Sequence, residues 1–506
     1  MTEIQARLSE LKGLGLYRRT RLVSGPQGPN VVLDGRPVTL LCSNNYLGLA
    51  DHPRVQEAAA DAAMRWGVGA GSSRLVSGTM TVHSRLEQKL AAFKGTEAAL
   101  LFGSGYLANL GVVGSLARAG EVVFSDELNH ASIIDGCRLS RAEVFVYAHN
   151  DLDHLEWGIQ QAGSRAALIV TESVFSMDGD MAPLEQISEL AQDYDVRVAV
   201  DEAHATGCVG LGGRGAVAEA GLEREIDVVV GTLGKALGSY GAFVACDAEL
   251  VSLFTNTARS LIFSTAPPPP AIAGALAALE VLEEQPRRVE RLHANAEVLR
   301  GELAREGFDV SGSTTQIVPL IVGDAATAMR VCEAALERGV FAQAIRPPTV
   351  PDGTSRLRLS VMATHTKDEL REAAHVLGRA ALHAGFRPAT AMPVAAAHEA
   401  AHGEAPRRSA VAHGESPQRS AVAHGEAPRR ATAAHSEAPR RAAAAAGEAP
   451  RRSAVAHGGA SPGELFDGES PRRSAAAHAG ASPGELFDAE APDALAPAPR
   501  RIPRAA

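Results

Sequence analysis

The chain has 506 residues, of which 45% are hydrophobic and 21% charged, a composition ordinary for a globular protein. Residues 1–384 carry 34 Lys and Arg against 46 Asp and Glu, whereas residues 385–506 carry 15 Arg and 13 acidic residues. An acidic body without a basic stripe argues against nucleic acid or an anionic membrane as the main partner. No apolar run reaches the roughly 18 residues that a membrane helix needs.

The cysteines indicate a reducing compartment, because they are widely spaced and form no CxxC pair or His/Cys cluster. This spacing disfavours a disulfide framework, and we expect no bound metal in the body. The first 20 residues contain no apolar core of a secretory signal. We therefore expect a soluble protein of the cytoplasm. The five cysteines are Cys42, Cys137, Cys208, Cys246 and Cys332.

Along the chain, an N-terminal segment (1–50) precedes an alternation of helix-like and strand-like segments. Amphipathic patterns predict helices at 53–66, 83–93, 130–138, 184–193 and, after a proline run, 271–284. Short β-branched runs predict buried parallel strands at 122–124, 167–170, 196–200 and 228–230. The alternation predicts an α/β fold with a mostly parallel sheet over 51–288. Strand candidates at 316–322 and 356–361 predict a smaller α+β domain over 289–384.

From residue 385 the composition changes to Ala, Pro, Arg, Glu, Gly, Ser and His, with an 11-residue repeat such as AHGEAPRRSAV. Each unit contains a proline and almost no large apolar residues, which excludes an 11-residue coiled coil. We expect a disordered tail over 385–506. Metal binding by its periodic histidines remains a weaker alternative, and so does a scaffold role for the tail. The histidines that mark the period are His402, His413, His424 and His435.

Lys235 is the most reactive candidate, because it follows a predicted buried strand and lies between glycines. A lysine in a tight apolar turn can lose its proton and form a Schiff base with an aldehyde. The remaining lysines lie in charged helical contexts, where a solvated side chain is expected. They are Lys12, Lys89, Lys94 and Lys367.

Asp201 ends a predicted strand, at the sheet edge where ligands of open α/β folds bind. A carboxylate there can pair with a protonated ring nitrogen of a ligand, and His204, three residues on, could reach the same ring. An equal alternative is that Asp201 is structural and caps the next turn. The segment 103–109 has glycines at a predicted helix start, which is typical of a phosphate site but also of any sharp turn. An aldehyde-trapping lysine, a ring-pairing carboxylate and a phosphate site are what pyridoxal 5′-phosphate (PLP) requires.

In this combination the body, from about 15 to 384, resembles the α-oxoamine synthases. The motifs at 43–49 and 171–180 match that family in the same order as the segments around Asp201 and Lys235. The family comprises fold type I PLP enzymes, class-II aminotransferase-like, that condense an amino acid with an acyl thioester and release CO₂. The resemblance implies a homodimer with the active site at its interface.

The resemblance also implies roles for individual residues. Lys235 would hold the cofactor and shuttle the substrate's α-proton, Asp201 would keep the ring nitrogen protonated, and His130 would stack on the ring. Cofactor contacts would come from Gly105, Tyr106, Ser176, His204 and Thr232. Substrate contacts would come from Arg18, with Arg19 as the alternative by one register, and from Asn44, Arg346 and Thr349.

Within the family, the segment 344–358 resembles the branch that condenses L-alanine with a pimeloyl thioester for biotin synthesis. The expected carrier is CoA or a carrier protein. A synthase that joins glycine to a short acyl-CoA is the alternative with the same chemistry. An aminotransferase shares the fold and the lysine, and it would differ by amino transfer to a keto acid without CO₂ release.

Overall fold

The computed structural model describes residues 2–388 of the chain. The predicted repeats and almost all of the predicted tail lie outside this range. The helices of the described part are Glu3–Gly13, Pro53–Trp66, Thr81–Lys94, Gly105–Leu116, Ala131–Ser140, Leu152–Ala162, Leu184–Asp193, Ala216–Glu219, Ala248–Thr257, Arg259–Ile262, Pro269–Glu284, Arg287–Arg305, Ala325–Glu337 and Lys367–His383.

The strands are numbered in chain order. They are β1 Val23–Ser24, β2 Asn30–Leu33, β3 Arg36–Leu40, β4 Ala98–Phe102, β5 Val122–Asp126, β6 Glu143–Tyr147, β7 Ala166–Glu172, β8 Arg197–Asp201, β9 Val228–Thr232, β10 Ala242–Cys246, β11 Ile317–Gly323, β12 Val340–Phe341, β13 Gln343–Ile345 and β14 Ser355–Ser360.

Seven strands form the central sheet in the order β4-β10-β9-β8-β7-β5-β6. The pairs β6-β5, β5-β7, β7-β8 and β8-β9 are parallel, and only β10 runs against its neighbours. The inner strands are buried on both faces, as their uninterrupted apolar runs predict. The mostly parallel α/β fold is thus confirmed, and parallel pairing brings the carboxyl ends of β5, β7, β8 and β9 to one edge.

Helices cover both faces of this sheet, which gives the apolar side chains two places to be buried. On one face the helix Pro269–Glu284 packs on Pro53–Trp66 and Thr81–Lys94, and on the other Gly105–Leu116 packs on Ala131–Ser140 and Ala248–Thr257. Each face has its own buried apolar cluster. The sheet, packed on both faces, therefore supports the loops at its carboxyl edge.

The C-terminal part of the described chain contains a three-stranded antiparallel sheet, β11-β14-β13, covered by helices, as the α+β pattern predicts. The N-terminal strands β1–β3 form a second sheet, to which β12 adds a fourth strand by pairing in parallel with β3. This pairing joins the N-terminal segment to the C-terminal region; the domain boundaries at 50/51 and 288/289 stay predictions. Within residues 2–388, none of the helices combines the length and apolarity needed to cross a membrane.

Candidate active site

Lys235 lies at the carboxyl edge of the parallel sheet, in the turn that follows β9. Its Nζ atom is 2.8 Å from Nε2 of His204. Burial lowers the pKa of the Lys235 ammonium to about 8, although the charges of Asp201 and Glu172 oppose this effect. A large fraction of the amine is therefore neutral near pH 8, the state that attacks an aldehyde.

His204 connects this lysine to a chain of buried polar groups. Burial, with the positive charges of Lys235 and Arg358, holds the pKa of His204 well below its usual value, so the ring is neutral. Its Nδ1 atom is 2.7 Å from the hydroxyl of Tyr46, which lies 3.0 Å from Oδ1 of Asn44. Since Oδ1 can only accept, Tyr46 donates to Asn44 and accepts from Nδ1–H of His204. Nε2 of His204 then accepts from Lys235.

A second chain runs from Asp201 to His130. The Asn109 amide donates to Oδ2 of Asp201 at 2.6 Å and to the Ser132 hydroxyl at 2.9 Å. The Ser132 hydroxyl then donates to Nδ1 of His130 at 2.8 Å. Burial lowers the pKa of His130, although Asp201 opposes this effect. His130 is therefore neutral, with its proton on Nε2, and both residues are held in defined orientations.

An anion site lies beside these residues, where the helix Gly105–Leu116 begins directly after β4. Ser104 caps the helix by accepting the backbone N–H of Leu107 at 3.3 Å. The first N–H groups of a helix have no intrahelical partner and carry the positive end of its dipole. Gly105 and Tyr106 therefore present donors suited to a phosphate, and Thr232 ends the nearby strand β9.

These groups fit PLP by their chemistry. Lys235 supplies a partly neutral amine for the aldehyde, and the helix start at Gly105 supplies donors for the phosphate. Asp201 is a buried carboxylate already oriented by Asn109 and by the backbone N–H of Ala203, 2.8 Å from its Oδ1. A carboxylate in that position stabilises a protonated ring nitrogen.

Two cavities lie on this side of the molecule, and only the first is lined by a residue of the cluster. One, of about 720 Å³, is lined by residues that include His130, Ser176 and Thr349. The other, of about 750 Å³, is lined by residues that include Arg18, Arg346 and, again, Thr349. The structure thus groups the predicted substrate contacts Arg18, Arg346 and Thr349 together, with Arg19 beside them, away from the Lys235–His204 pair. Thr349 lies where the two cavities meet.

Two buried arginines have no carboxylate within 4 Å among residues 2–388. Arg358 contacts Asn44, Tyr46 and the carbonyl of Ser176, and it affects the pKa of Lys235. Arg346 contacts only the carbonyl of Gly15. A buried guanidinium without a counter-charge is costly unless an anion binds there. The two arginines are therefore candidates for binding anions, one at the Lys235 cluster and one in the second cavity.

Several residues of this site carry no role in the sequence analysis. Asn109, Tyr46 and Arg358 lie within motifs that the family resemblance uses, but their partners are distant in sequence. Asn109 lies one helical turn after Gly105, and this spacing is the signal that could have identified it. Glu172 ends β7 next to Asp201, and burial with that neighbouring charge raises its pKa to about 8.

The prediction that Lys94 is solvated is wrong. Its side chain is buried and forms an ion pair with Glu202, with further bonds to Thr206 at 2.8 Å and to the carbonyl of Arg214 at 2.6 Å. The helix Thr81–Lys94 ends at the sheet, so its last side chain points inward rather than into water. Glu202 lies 108 residues further on, and nothing local in the sequence indicates this contact.

Comparisons with known proteins identify the family of this chain. Residues 36–377 match the model of the aminotransferase class I and II family. The 8-amino-7-oxononanoate synthase of Geobacter sulfurreducens is 52% identical over 379 residues, which cover 74% of this chain and 97% of that protein. A solved structure of serine palmitoyltransferase with PLP has a TM-score of 0.72 at 34% identity, covering 76% of this chain and 98% of that one. The 8-amino-7-oxononanoate synthase of Francisella tularensis has a TM-score of 0.60 at 26% identity, covering 69% and 99%.

The chain therefore has the fold of the PLP-dependent transferases, and it belongs to the class I and II aminotransferase family. The predicted fold type is confirmed. Within that class, the chain belongs to the family of the 8-amino-7-oxononanoate synthases, enzymes of biotin synthesis, with which it shares about half of its matched residues. This confirms the resemblance drawn from the motifs.

Proposed function

We propose that this enzyme condenses L-alanine with a pimeloyl thioester to give 8-amino-7-oxononanoate, CO₂ and the free thiol carrier. The observation that carries the proposal is a pair of buried arginines that have no carboxylate partner within residues 2–388, Arg358 at the Lys235 cluster and Arg346 in the second cavity. These substrates bring two carboxylates, one on the amino acid and one at the far end of the acyl chain. The names of the relatives support the same reaction.

PLP is the cofactor, and when bound it supplies an electron sink for the carbanion formed at Cα of the amino acid. Lys235 would hold the cofactor, and its neutral amine would take and return the α-proton of the amino acid. Asp201 would keep the ring nitrogen protonated, and His130 would stack on the ring. Gly105 and Tyr106 bind at the phosphate side, and further cofactor contacts come from Thr232, Ser176 and His204.

Arg358 is the residue we assign to the α-carboxylate of L-alanine. The amino acid reacts at the position of the Lys235 amine, so its carboxylate must lie close to that atom. Arg358 donates to the Tyr46 hydroxyl, which contacts His204, and His204 in turn contacts Nζ of Lys235. Asn44 lies beside Arg358 and offers its amide as a second donor. Fixing the carboxylate orients the bond between it and Cα of L-alanine, and this orientation is a large part of what the protein contributes to the reaction.

Arg346 and Arg18 receive the distal carboxylate of the acyl chain. The chain passes Thr349, where the two cavities meet, and enters the second cavity. Burial, with the nearby charge of Arg18, lowers the pKa of Arg346. Binding of an anion relieves this repulsion, which favours a dicarboxylic acyl group over a monocarboxylic one.

A homodimer completes the enzyme. Three large apolar side chains on two adjacent segments are unusually exposed: Leu75 by 52%, Val76 by 78% and Phe263 by 72%. The segments that carry them are adjacent, since Ser73 pairs with Thr265. We infer that a second copy of this chain covers the patch, and light scattering of the purified protein tests that inference.

Product analysis of four substrate pairs tests the reaction. The purified enzyme is given L-alanine or glycine with pimeloyl-CoA or heptanoyl-CoA, which has the same length but lacks the distal carboxylate. We expect the highest kcat/KM for L-alanine with pimeloyl-CoA, and a loss of about tenfold or more with heptanoyl-CoA. Arg346→Gln is expected to remove most of this difference. Equal use of both thioesters by the unaltered enzyme contradicts the assignment.

The alternative with the same chemistry, glycine with a short acyl-CoA, is tested by adding acetyl-CoA and succinyl-CoA to the series. One methyl group in a pocket is worth only about 1–3 kcal/mol, so the amino acid preference is expected to be weaker than the thioester preference. If glycine with a short acyl-CoA is the best pair, the biotin assignment fails and the condensation chemistry remains. Transfer of the amino group to a keto acid without release of CO₂ indicates an aminotransferase instead.

A further inference from the structure

His149 lies between two carboxylates outside the cofactor site. Its Nδ1 atom is 3.0 Å from Oδ1 of Asp126, and its Nε2 atom is 2.7 Å from Oδ2 of Asp180. Carboxylate oxygens only accept, so both ring nitrogens carry protons and the ring is a cation. Its side chain is only 13% exposed, and the ring packs edge-on against Phe175 with centroids 4.3 Å apart. The two carboxylates raise the pKa of His149 to about 10 despite its burial.

Asp126 ends β5 and controls the start of the loop that carries His130. Its Oδ1 accepts the backbone N–H of Leu128 at 2.9 Å, and its Oδ2 accepts that of Asn150 at 3.0 Å. The chain then reaches Asn129, whose amide donates to the carbonyl of Val170 at 2.8 Å. The first turn of this loop is therefore held by Asp126.

Asp180 belongs to the loop that carries Ser176. Its carbonyl accepts the backbone N–H of Phe175 at 3.0 Å, which closes the loop. The other side of the same loop is held by arginines of β14, where Arg356 forms an ion pair with Asp178. Residues of the His130 loop and of the Ser176 loop both line the 720 Å³ cavity.

We propose that the trio Asp126, His149 and Asp180, here called the His149 clamp, sets the separation of the two loops that carry His130 and Ser176. The trio has no role in binding or chemistry of its own, so these are positioning residues. The clamp acts on cofactor and substrate binding through the width of the cavity, and this inference rests on the roles proposed above for His130 and Ser176. Without the cation, two carboxylates would face each other and push the loops apart.

His149→Gln tests the clamp, since glutamine is neutral and carries both of its N–H donors on one nitrogen, whereas His149 meets the two carboxylates with two separate ring nitrogens. His154→Gln is the matched control: His154 follows in the same segment and accepts the backbone N–H of Ala148, but does not contact either loop. We expect His149→Gln to raise the dissociation constant for PLP, measured by titration of the apoenzyme, by about tenfold. Faster amide exchange in segments 127–131 and 175–180 and a higher KM for L-alanine, with a smaller change in kcat, should accompany it.

A role in stability alone predicts something different. His149→Gln would then lower the melting temperature while PLP affinity, loop exchange and KM stayed equal to those of His154→Gln, and this result would overturn the proposal. If His149→Gln does not fold, Asp180→Asn decides, because it keeps the buried Asp126–His149 pair and weakens only the link to the Ser176 loop. PLP titration and amide exchange need no substrate. They therefore test the clamp even if the unaltered enzyme fails to condense L-alanine, which is the separate failure of the proposed function.

Discussion

The Lys235 amine is subject to opposing effects: burial lowers its pKa, the charges of Asp201 and Glu172 raise it, and the balance is about 8. The neutral side chain of His204 matters here, since it accepts from the lysine without adding a positive charge. In the unfolded chain the same lysine titrates near 10.5. Between about pH 8 and 10.5 the unfolded state therefore binds more protons, so the contribution of Lys235 to stability rises with pH in that window.

Capture of PLP by the apoenzyme should follow this titration. We expect the rate to rise about tenfold per pH unit below pH 8 and to level off above it, because only the neutral amine reacts. Stopped-flow absorbance measures the rate.

Lys235→Ala should fold but form no reducible adduct after borohydride treatment. Peptide mapping that places the adduct on Lys12, Lys89 or Lys367 would show that the assignment is wrong.

Arg358 and Arg346, which have no carboxylate partner within residues 2–388, should be separable by their substrates. Arg358→Lys keeps the positive charge but loses the planar fork, so we expect KM for L-alanine to rise by about tenfold or more, with little change in KM for pimeloyl-CoA. Steady-state kinetics with each substrate varied in turn measures this. A larger effect on the thioester than on the amino acid would exchange the roles of Arg358 and Arg346.

At the scale of elements, the buried pair Lys94–Glu202 ties the end of the helix Thr81–Lys94 to the turn that carries Asp201 and His204. Glu202 also accepts the backbone N–H of Val217 at 2.8 Å. The backbone passes so close at Gly215 that a Cβ there would lie 2.0 Å from Oε2 of Glu202. The helix, the turn and the loop 207–217 are therefore packed as one unit beneath the cofactor site.

Lys94→Met should destabilise the enzyme by about 3–5 kcal/mol, because it leaves the Glu202 carboxylate buried and uncompensated. Urea unfolding of the apoenzyme measures the loss. Lys89→Met is the matched control on the same helix: Lys89 pairs with Glu283 2.5 Å away, both about one-third exposed, so less than about 1 kcal/mol should be lost. The double change Lys94→Met with Glu202→Gln should recover much of the loss. Equal losses for Lys94→Met and Lys89→Met would refute this account of the pair.

At the scale of the whole molecule, residues 2–388 contain both apolar clusters and every residue of the proposed site. The closing helix Lys367–His383 is followed by Phe386, which packs partly against the larger cluster and donates its backbone N–H to the carbonyl of Ala381 at 2.9 Å. The body therefore extends slightly beyond the boundary at residue 385 that composition predicts. The composition beyond it offers almost no large apolar side chains to bury.

A chain that ends at Pro388 should keep its melting temperature, PLP affinity and turnover. A chain that ends at Gly385 is the informative comparison, since it also loses Phe386 and should be about 1 kcal/mol less stable. Calorimetry and steady-state kinetics of the two shortened forms and the full chain measure the effect. Reduced turnover or PLP affinity in the form that ends at Pro388 would show that the repeats contribute to the enzyme.

The sequence by itself determined the fold class and the family, and it singled out Lys235 as the candidate for the reacting lysine. Buried parallel strands such as Val228–Thr232 appear as continuous β-branched runs, and Lys235 is distinguished by the glycines on both sides of it, so both features are visible within a few residues of sequence. Only the tertiary structure decided the electrostatics. The Asn109–Asp201, His149–Asp180 and Lys94–Glu202 contacts join residues 31 to 108 positions apart. Burial, not sequence neighbourhood, sets the pKa values of Lys235 and His204. Charge pairing in a folded chain depends on which strand ends and helix ends meet, and the sequence does not show this. For that reason the sequence analysis gives Arg358 no role and places Lys94 in solvent.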